Sequence, residues 1–272
     1  MKDDLTPCIV FLGEGPSDVN IDERSGDFAG LRPMVCEAIC RHAPKALPEK
    51  WLRRHAEAAW TSDVLKEGCI PLLPSALKRC HGRVPFHAVR KAEKEFAGIA
   101  NRVYLFGLAA AEAGADYAVF FHDCDRLPLA DMVEAVKTGA EAARYEGMVV
   151  MTPNPTSEAW ILAGLRNLRG ASSERVTAEN AGKFEAELRG NDKNPRSAKA
   201  RLAQWVMGKA DAMALDPDGY RDCVETLDRE AGWESAECLP SMRAFVESIA
   251  AVSEKIRPTG TMLYSHCHGR AK

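Results

Sequence analysis

The sequence predicts an α/β protein: an open, mostly parallel sheet with a helical insertion and a helical C-terminal part. Two observations carry this expectation. The apolar runs at 8–12, 117–121 and 148–151 are short and nearly continuous rather than alternating, as in strands covered on both faces. Between the last two runs, Met132, Val133, Val136 and Ala140 recur at helical spacing, which makes a strand–helix–strand unit of crossover length.

In chain order, Cys8-Ile9-Val10-Phe11-Leu12 reads as a buried strand stopped by Gly13-Glu14-Gly15-Pro16. The gap before the next strong run is far too long for a simple connection. It is read as a helical insertion at about 26–115, helical over 30–60 and 87–113, with an extra strand near Cys69-Ile70-Pro71-Leu72-Leu73. Tyr117-Ala118-Val119-Phe120-Phe121 is the second strand and ends at His122-Asp123-Cys124-Asp125. A helix over 129–145 follows. Met148-Val149-Val150-Met151 is the third strand, and a second helix over 157–168 carries Trp160, Ile161 and Leu165 on one side. Residues 1–170 then form the α/β core, 171–257 a helical part packed on it with helices at 198–207 and 242–256, and 258–272 a flexible tail.

Composition excludes several classes. The chain has 272 residues, is 46% hydrophobic and 28% charged, and carries a net charge of −3, too apolar and balanced for a disordered chain. It contains no apolar stretch of about 18 residues, so no membrane association is expected. The Met1-Lys2-Asp3-Asp4 start does not read as a secretory signal. The nine cysteines are scattered without a Cys-x-x-Cys pair, so reduced thiols in a cytoplasmic protein are expected rather than a disulfide framework or zinc ribbon. Cys36 and Cys40, one helical turn apart, read as small buried apolar groups, and Trp160 and Trp205 as core.

The chemistry is expected at the strand ends, because open α/β sheets bind ligands at the carboxyl ends of their strands. Glu14 and Asp18 follow the first strand, Asp123 and Asp125 the second, and Glu158 the third. Asp123 and Asp125 are two apart and share a direction if the strand continues, and Glu14 and Asp18 are four apart across a Gly-Pro turn. Each also has a purely structural reading, as turn, cap or first-turn acid of a helix. The conjunction carries the metal reading. Two carboxylates about 4 Å apart repel by roughly 4 kcal/mol at an effective dielectric near 20, so a converging set must share protons or a cation. Hard oxygen donors without a thiolate pair favour Mg²⁺ or Mn²⁺. His122 is expected beside the site without a direct role.

Three motifs carry a family resemblance. Glu14-Gly15-Pro16-Ser17-Asp18 after a first strand, Asp123-Cys124-Asp125 after a later one, and Pro155-Thr156-Ser157-Glu158-Ala159-Trp160-Ile161-Leu162-Ala163 together resemble the Toprim fold. More closely, they are similar to the RloB-like and OLD-family nuclease relatives of bacterial defence loci. The resemblance covers three short motifs within the first 165 residues or so. It implies a divalent-metal nuclease, an endonuclease on DNA or RNA and an effector in anti-phage defence. Glu14 would then be a metal ligand or general acid/base, Asp18 a supporting ligand, Asp123 and Asp125 metal ligands, and Glu158 part of a second metal site. A later lysine that stabilises transition-state charge is implied as well, with Lys193 and Lys199 as the two candidates. The chain lacks the ATPase module of OLD proteins, with no Gly-x-x-x-x-Gly-Lys-Ser/Thr loop, so nucleotide control would come from an ATPase or sensor partner. Homo-oligomerisation is compatible with this reading.

Basic residues fit a phosphate-rich substrate. Lys78, Arg79, Arg83, Arg90, Lys91 and Lys94 crowd one stretch of the insertion and are the candidate nucleic-acid contacts. Lys50, Arg53 and Arg54 near Trp51 form a smaller cluster, and His266-Cys267-His268 is an isolated metal-like tract. Two further functions compete. Asp123-x-Asp125 also resembles haloacid-dehalogenase-type phosphatases, with Asp123 as nucleophile. That family carries its pair on the first strand, before a small turn and Thr, whereas Arg126-Leu127-Pro128 follows here. The third reading is a non-catalytic Toprim-like binding subunit of a larger complex.

Overall fold

The computed structural model describes residues 9–13, 31–42, 69–72, 94–124, 127–190, 193–230 and 232–255. Among them the chain runs β1 (Ile9–Leu12), α1 (Arg32–His42), β2 (Cys69–Leu72), α2 (Lys94–Glu112), β3 (Tyr117–Phe121), α3 (Leu129–Ala143), β4 (Met148–Met151) and α4 (Ser157–Arg169). A short 3₁₀ turn (Ser172–Glu174) leads to α5 (Ala181–Glu187), α6 (Ala198–Met207), α7 (Pro217–Arg229), α8 (Gly232–Ala236) and α9 (Pro240–Lys255). No helix among the described residues is long and apolar enough to cross a membrane.

The described strands make one open parallel sheet in the order β2-β1-β3-β4. Ile9 pairs with Cys69 on one side and Tyr117 on the other, and Phe121 pairs with Met151. Parallel pairing brings the carboxyl ends of all four strands to one edge. Successive side chains point to opposite faces of a strand, and both faces here are apolar. Ile9, Phe11, Tyr117, Val119, Phe121, Val149 and Met151 share one buried cluster with residues of α1, α4, α7, α8 and α9. Val10, Leu12, Ala118, Phe120, Met148 and Val150 pack against α2 and α3. This double cover is why the runs read as continuous.

The segment read as an insertion supplies parts of the sheet and of both covering layers. Residues 69–72 form β2, paired with β1. Met34, Val35, Ala38 and Ile39 of α1 pack on one face, and Ile99, Val103 and Phe106 of α2 on the other. Helices α2 and α3 approach closely at two glycines. A Cβ on Gly139 would strike the Ala100 carbonyl and come within 2.7 Å of the Val103 Cβ, and one on Gly107 would lie 2.7 Å from the Ala143 Cβ.

The C-terminal helix closes the β4 side. The Val150 N–H donates to the Ser248 hydroxyl at 3.0 Å, and that hydroxyl donates to the Phe245 carbonyl at 2.8 Å. A side chain of α9 thus satisfies a strand amide that no neighbouring strand takes up in the described sheet. Tyr117 and Ser253 share a hydrogen bond of 3.0 Å, and Phe245, Ile249 and Val252 are buried against the sheet. At the other end of that layer, Arg41 of α1 holds Glu237 at 2.6 Å and Glu234 at 3.3 Å. Cys36 and Cys40 are buried in α1, and burial pushes the Cys40 thiol up to about 12. Trp160 is fully buried, whereas Trp205 is half-buried at the margin of the core, because its end of α6 runs out into solvent.

Candidate functional site at the carboxyl edge of the sheet

Past their last paired residues, the β3 and β4 chains continue side by side. The His122 N–H donates to the Met151 carbonyl at 3.1 Å, and the Cys124 N–H donates to the Pro153 carbonyl at 2.9 Å. The buried Cys124 thiol donates to the Thr152 carbonyl at 3.6 Å, and His122 stacks against Phe120. This extended pairing fixes the backbone on both sides of Asp123.

Asp123 uses that position to reach the start of α4. Its Oδ1 accepts the Ser157 N–H at 3.1 Å. Thr156, the residue before the helix, makes no side-chain cap to the backbone, and its hydroxyl donates instead to Glu158 Oε2 at 2.7 Å. The first-turn amides of a helix lack internal partners and carry positive partial charge. A carboxylate from β3 therefore occupies a cap position that the local sequence leaves open. Asp123 and Glu158 meet the same first turn, one at the amide of Ser157 and one as the next residue along.

A third carboxylate, which sequence reasoning missed, joins the loop before this turn to α9. Glu185 of α5 is 4% exposed. Its Oε1 accepts the Ser241 N–H at 3.2 Å and the Ser241 hydroxyl, and its Oε2 accepts Asn154 Nδ2 at 3.4 Å. Trp160 Nε1 donates to the Ser241 hydroxyl oxygen at 2.7 Å. Burial pushes the Glu185 carboxyl above its usual range, and the Ser241 and Asn154 donors pull the other way. The network ties the loop after β4, which contains the cis Asn154–Pro155 peptide, to α4, α5 and the first turn of α9. No local signal marks Glu185, since its partners lie at 154 and 241.

The other expected residues fall into three groups. Lys193 is exposed on the loop before α6, and Lys199 is partly buried in the first turn of that helix. That loop is anchored beside α4: Ala159, Leu188 and Ala198 form one small apolar cluster. Lys94 is the first residue of α2. Glu14, Asp18, Asp125, Lys78, Arg79, Arg83, Arg90 and Lys91 lie outside the described residues, as do Lys50, Trp51, Arg53, Arg54 and His266-Cys267-His268. Gly13, buried at the end of β1, is the last described residue before Glu14.

The donors that are described suit a hard cation. Asp123 and Glu158 offer carboxylate oxygens, and the neighbouring Cys124 thiol is buried and engaged with a carbonyl. The Thr152 hydroxyl is buried and has no hydrogen-bond partner among the described residues. Among the described residues no group of three or more His, Cys, Asp or Glu side chains is gathered tightly enough to hold an ion. A complete shell would draw on the strand-end acids beyond them. No family model, curated protein or solved structure matches the chain.

Proposed function

We propose that the chain is a divalent-metal-dependent nuclease of Toprim type, hydrolysing phosphodiester bonds in DNA or RNA. The observation that carries the reading is the convergence of Asp123 and Glu158 on the first turn of α4, at the edge where the parallel strands end. The β1 end, which leads into Glu14 and Asp18, is the immediate neighbour of β3 in that sheet.

Bound Mg²⁺ or Mn²⁺ would activate a water and stabilise the leaving oxygen. The protein's share is positioning. The Ser157 N–H holds Asp123 by one oxygen, and the Thr156 hydroxyl does the same for Glu158. Glu14, Asp18 and Asp125 complete the ligand set, with Glu14 also suited to carry a proton. Lys193 or Lys199, on the loop packed beside Ala159, offsets charge that builds on the phosphate. In an anti-phage setting an ATPase or sensor protein would supply the trigger.

The test is cleavage of plasmid DNA and total tRNA by the full chain with Mg²⁺ or Mn²⁺. Wild type is expected to cut at least one of them and Asp123→Asn neither. A wild-type protein that cuts neither overturns the proposal.

A further inference from the structure

A second feature adjoins the sheet edge. Between residues 188 and 209 the chain carries six basic residues (Arg189, Lys193, Arg196, Lys199, Arg201 and Lys209) against the single acid Asp192, in a protein whose net charge is −3. The structure brings two of these residues, Arg189 and Arg196, together on one exposed ridge. The loop closes on itself: the Arg189 N–H donates to the Arg196 carbonyl and the Ala198 N–H to the Arg189 carbonyl, both at 3.1 Å. Arg189 and Arg196 therefore sit together at its base, and Lys193 lies between them along the loop. All three, with Arg201 in α6, are exposed.

On α4, Arg166 lies 5.7 Å over the Phe184 ring, and its Nε is buried without a hydrogen-bond partner among the described residues. Burial lowers its pKa, the charge of Arg201 lowers it further, and Glu174 opposes both. Among the described residues no ion pair joins Arg166, Arg189, Arg196 or Arg201 to a carboxylate. Like charges held together on an exposed ridge suit a polyanion that bridges them. Guanidinium forks match phosphate oxygens in pairs.

We infer that Arg189, residues 193–198 and the first turns of α6 form a docking surface for a nucleic-acid phosphate backbone. The inference rests on the hydrolase reading for its direction. Leu188 and Ala198 at the loop base pack on Ala159, one residue from Glu158, so a backbone following the ridge arrives at the carboxylate edge. Phosphate is favoured over an acidic protein because basic residues outnumber acids six to one between 188 and 209 and three of the six are arginines, whose forks suit sequence-independent backbone binding.

The test is fluorescence anisotropy of the full chain with labelled DNA and RNA duplexes of about 30 base pairs, in EDTA so that nothing is cut. An Arg196→Ala, Arg201→Ala double variant, with an unchanged melting temperature, is expected to bind about tenfold more weakly near 100 mM salt. Its plot of log affinity against log salt should be shallower by about 1.8, the loss of two phosphate contacts on a duplex. A Lys137→Ala, Lys255→Ala control, exposed elsewhere, should bind as wild type does. The preferred duplex identifies DNA or RNA as the source of the phosphates. Equal binding by the Arg double variant overturns the inference, as does displacement of the duplex by poly-glutamate of matched charge, which would assign the ridge to an acidic protein. Weakened binding by the double variant in a protein that cuts nothing would sink the hydrolase reading and leave the ridge standing.

Discussion

The Asp123 carboxylate caps a helix that begins 34 residues later, accepting the Ser157 N–H at 3.1 Å. The same side chain thus has two separable jobs, to cap the start of α4 and, in the function proposed here, to hold a cation. Asp123→Ala should cost about 0.5–2 kcal/mol of stability, the usual range for a lost cap. Asp123→Asn keeps an oxygen acceptor and should melt close to wild type while losing metal-dependent cleavage. Thermal melts beside cleavage assays check both. Equal melting of the Ala variant and wild type would refute the capping role.

Glu185 should matter more to folding than to chemistry. Truncation to Ala leaves the Ser241 N–H and the Asn154 amide without their acceptor in a buried place, a loss of about 2–4 kcal/mol. Glu185→Gln keeps one oxygen for Ser241 but turns an amide toward Asn154, so an intermediate loss is expected. Chemical denaturation followed by tryptophan fluorescence reads it, since Trp160 donates into the same network.

A pH dependence follows from Asp228. Burial, followed by the nearby charges of Glu37 and Glu225, raises its carboxyl from 3.8 to about 7, although Trp233 Nε1 donates to it at 2.6 Å. The folded state therefore holds a proton that the unfolded chain releases near pH 4. Stability from this group is fully present below about pH 4 and is lost as pH rises to about 7, by on the order of 4 kcal/mol at most. Glu185, also raised, acts in the same direction. Denaturation midpoints measured from pH 5 to pH 8 should fall for wild type and fall less for Asp228→Asn. An identical slope for the two proteins would remove Asp228 as the cause.

Two glycines in the α2–α3 pair should respond oppositely to alanine. Gly139→Ala places a methyl group against the Ala100 carbonyl and 2.7 Å from the Val103 Cβ, and should cost about 1–3 kcal/mol through displaced backbone. Gly98→Ala, in the exposed part of α2 with nothing within 4 Å of its Cβ, should gain about 0.5–1 kcal/mol of helix propensity. Urea midpoints for the two variants test the sign directly.

Local pattern was enough for much of the frame. The runs at 117–121 and 148–151 are strands with the expected bounds, and the helices expected at 129–145, 157–168, 198–207 and 242–256 appear as Leu129–Ala143, Ser157–Arg169, Ala198–Met207 and Pro240–Lys255. These elements were legible because burial imprints its own period on a chain: continuous apolar residues where both faces of a strand are covered, and every third or fourth residue where one side of a helix is covered. What only the tertiary structure decided is which distant groups meet. Residues 69–72 became a partner of β1, and 94–112 a cover for the sheet rather than an excursion from it. Asp123 found the Ser157 amide, and Glu185 was desolvated by Ser241, Asn154 and their surroundings. Strand order, tertiary capping and desolvation depend on neighbours far away in sequence, and side-chain periodicity carries no record of those neighbours.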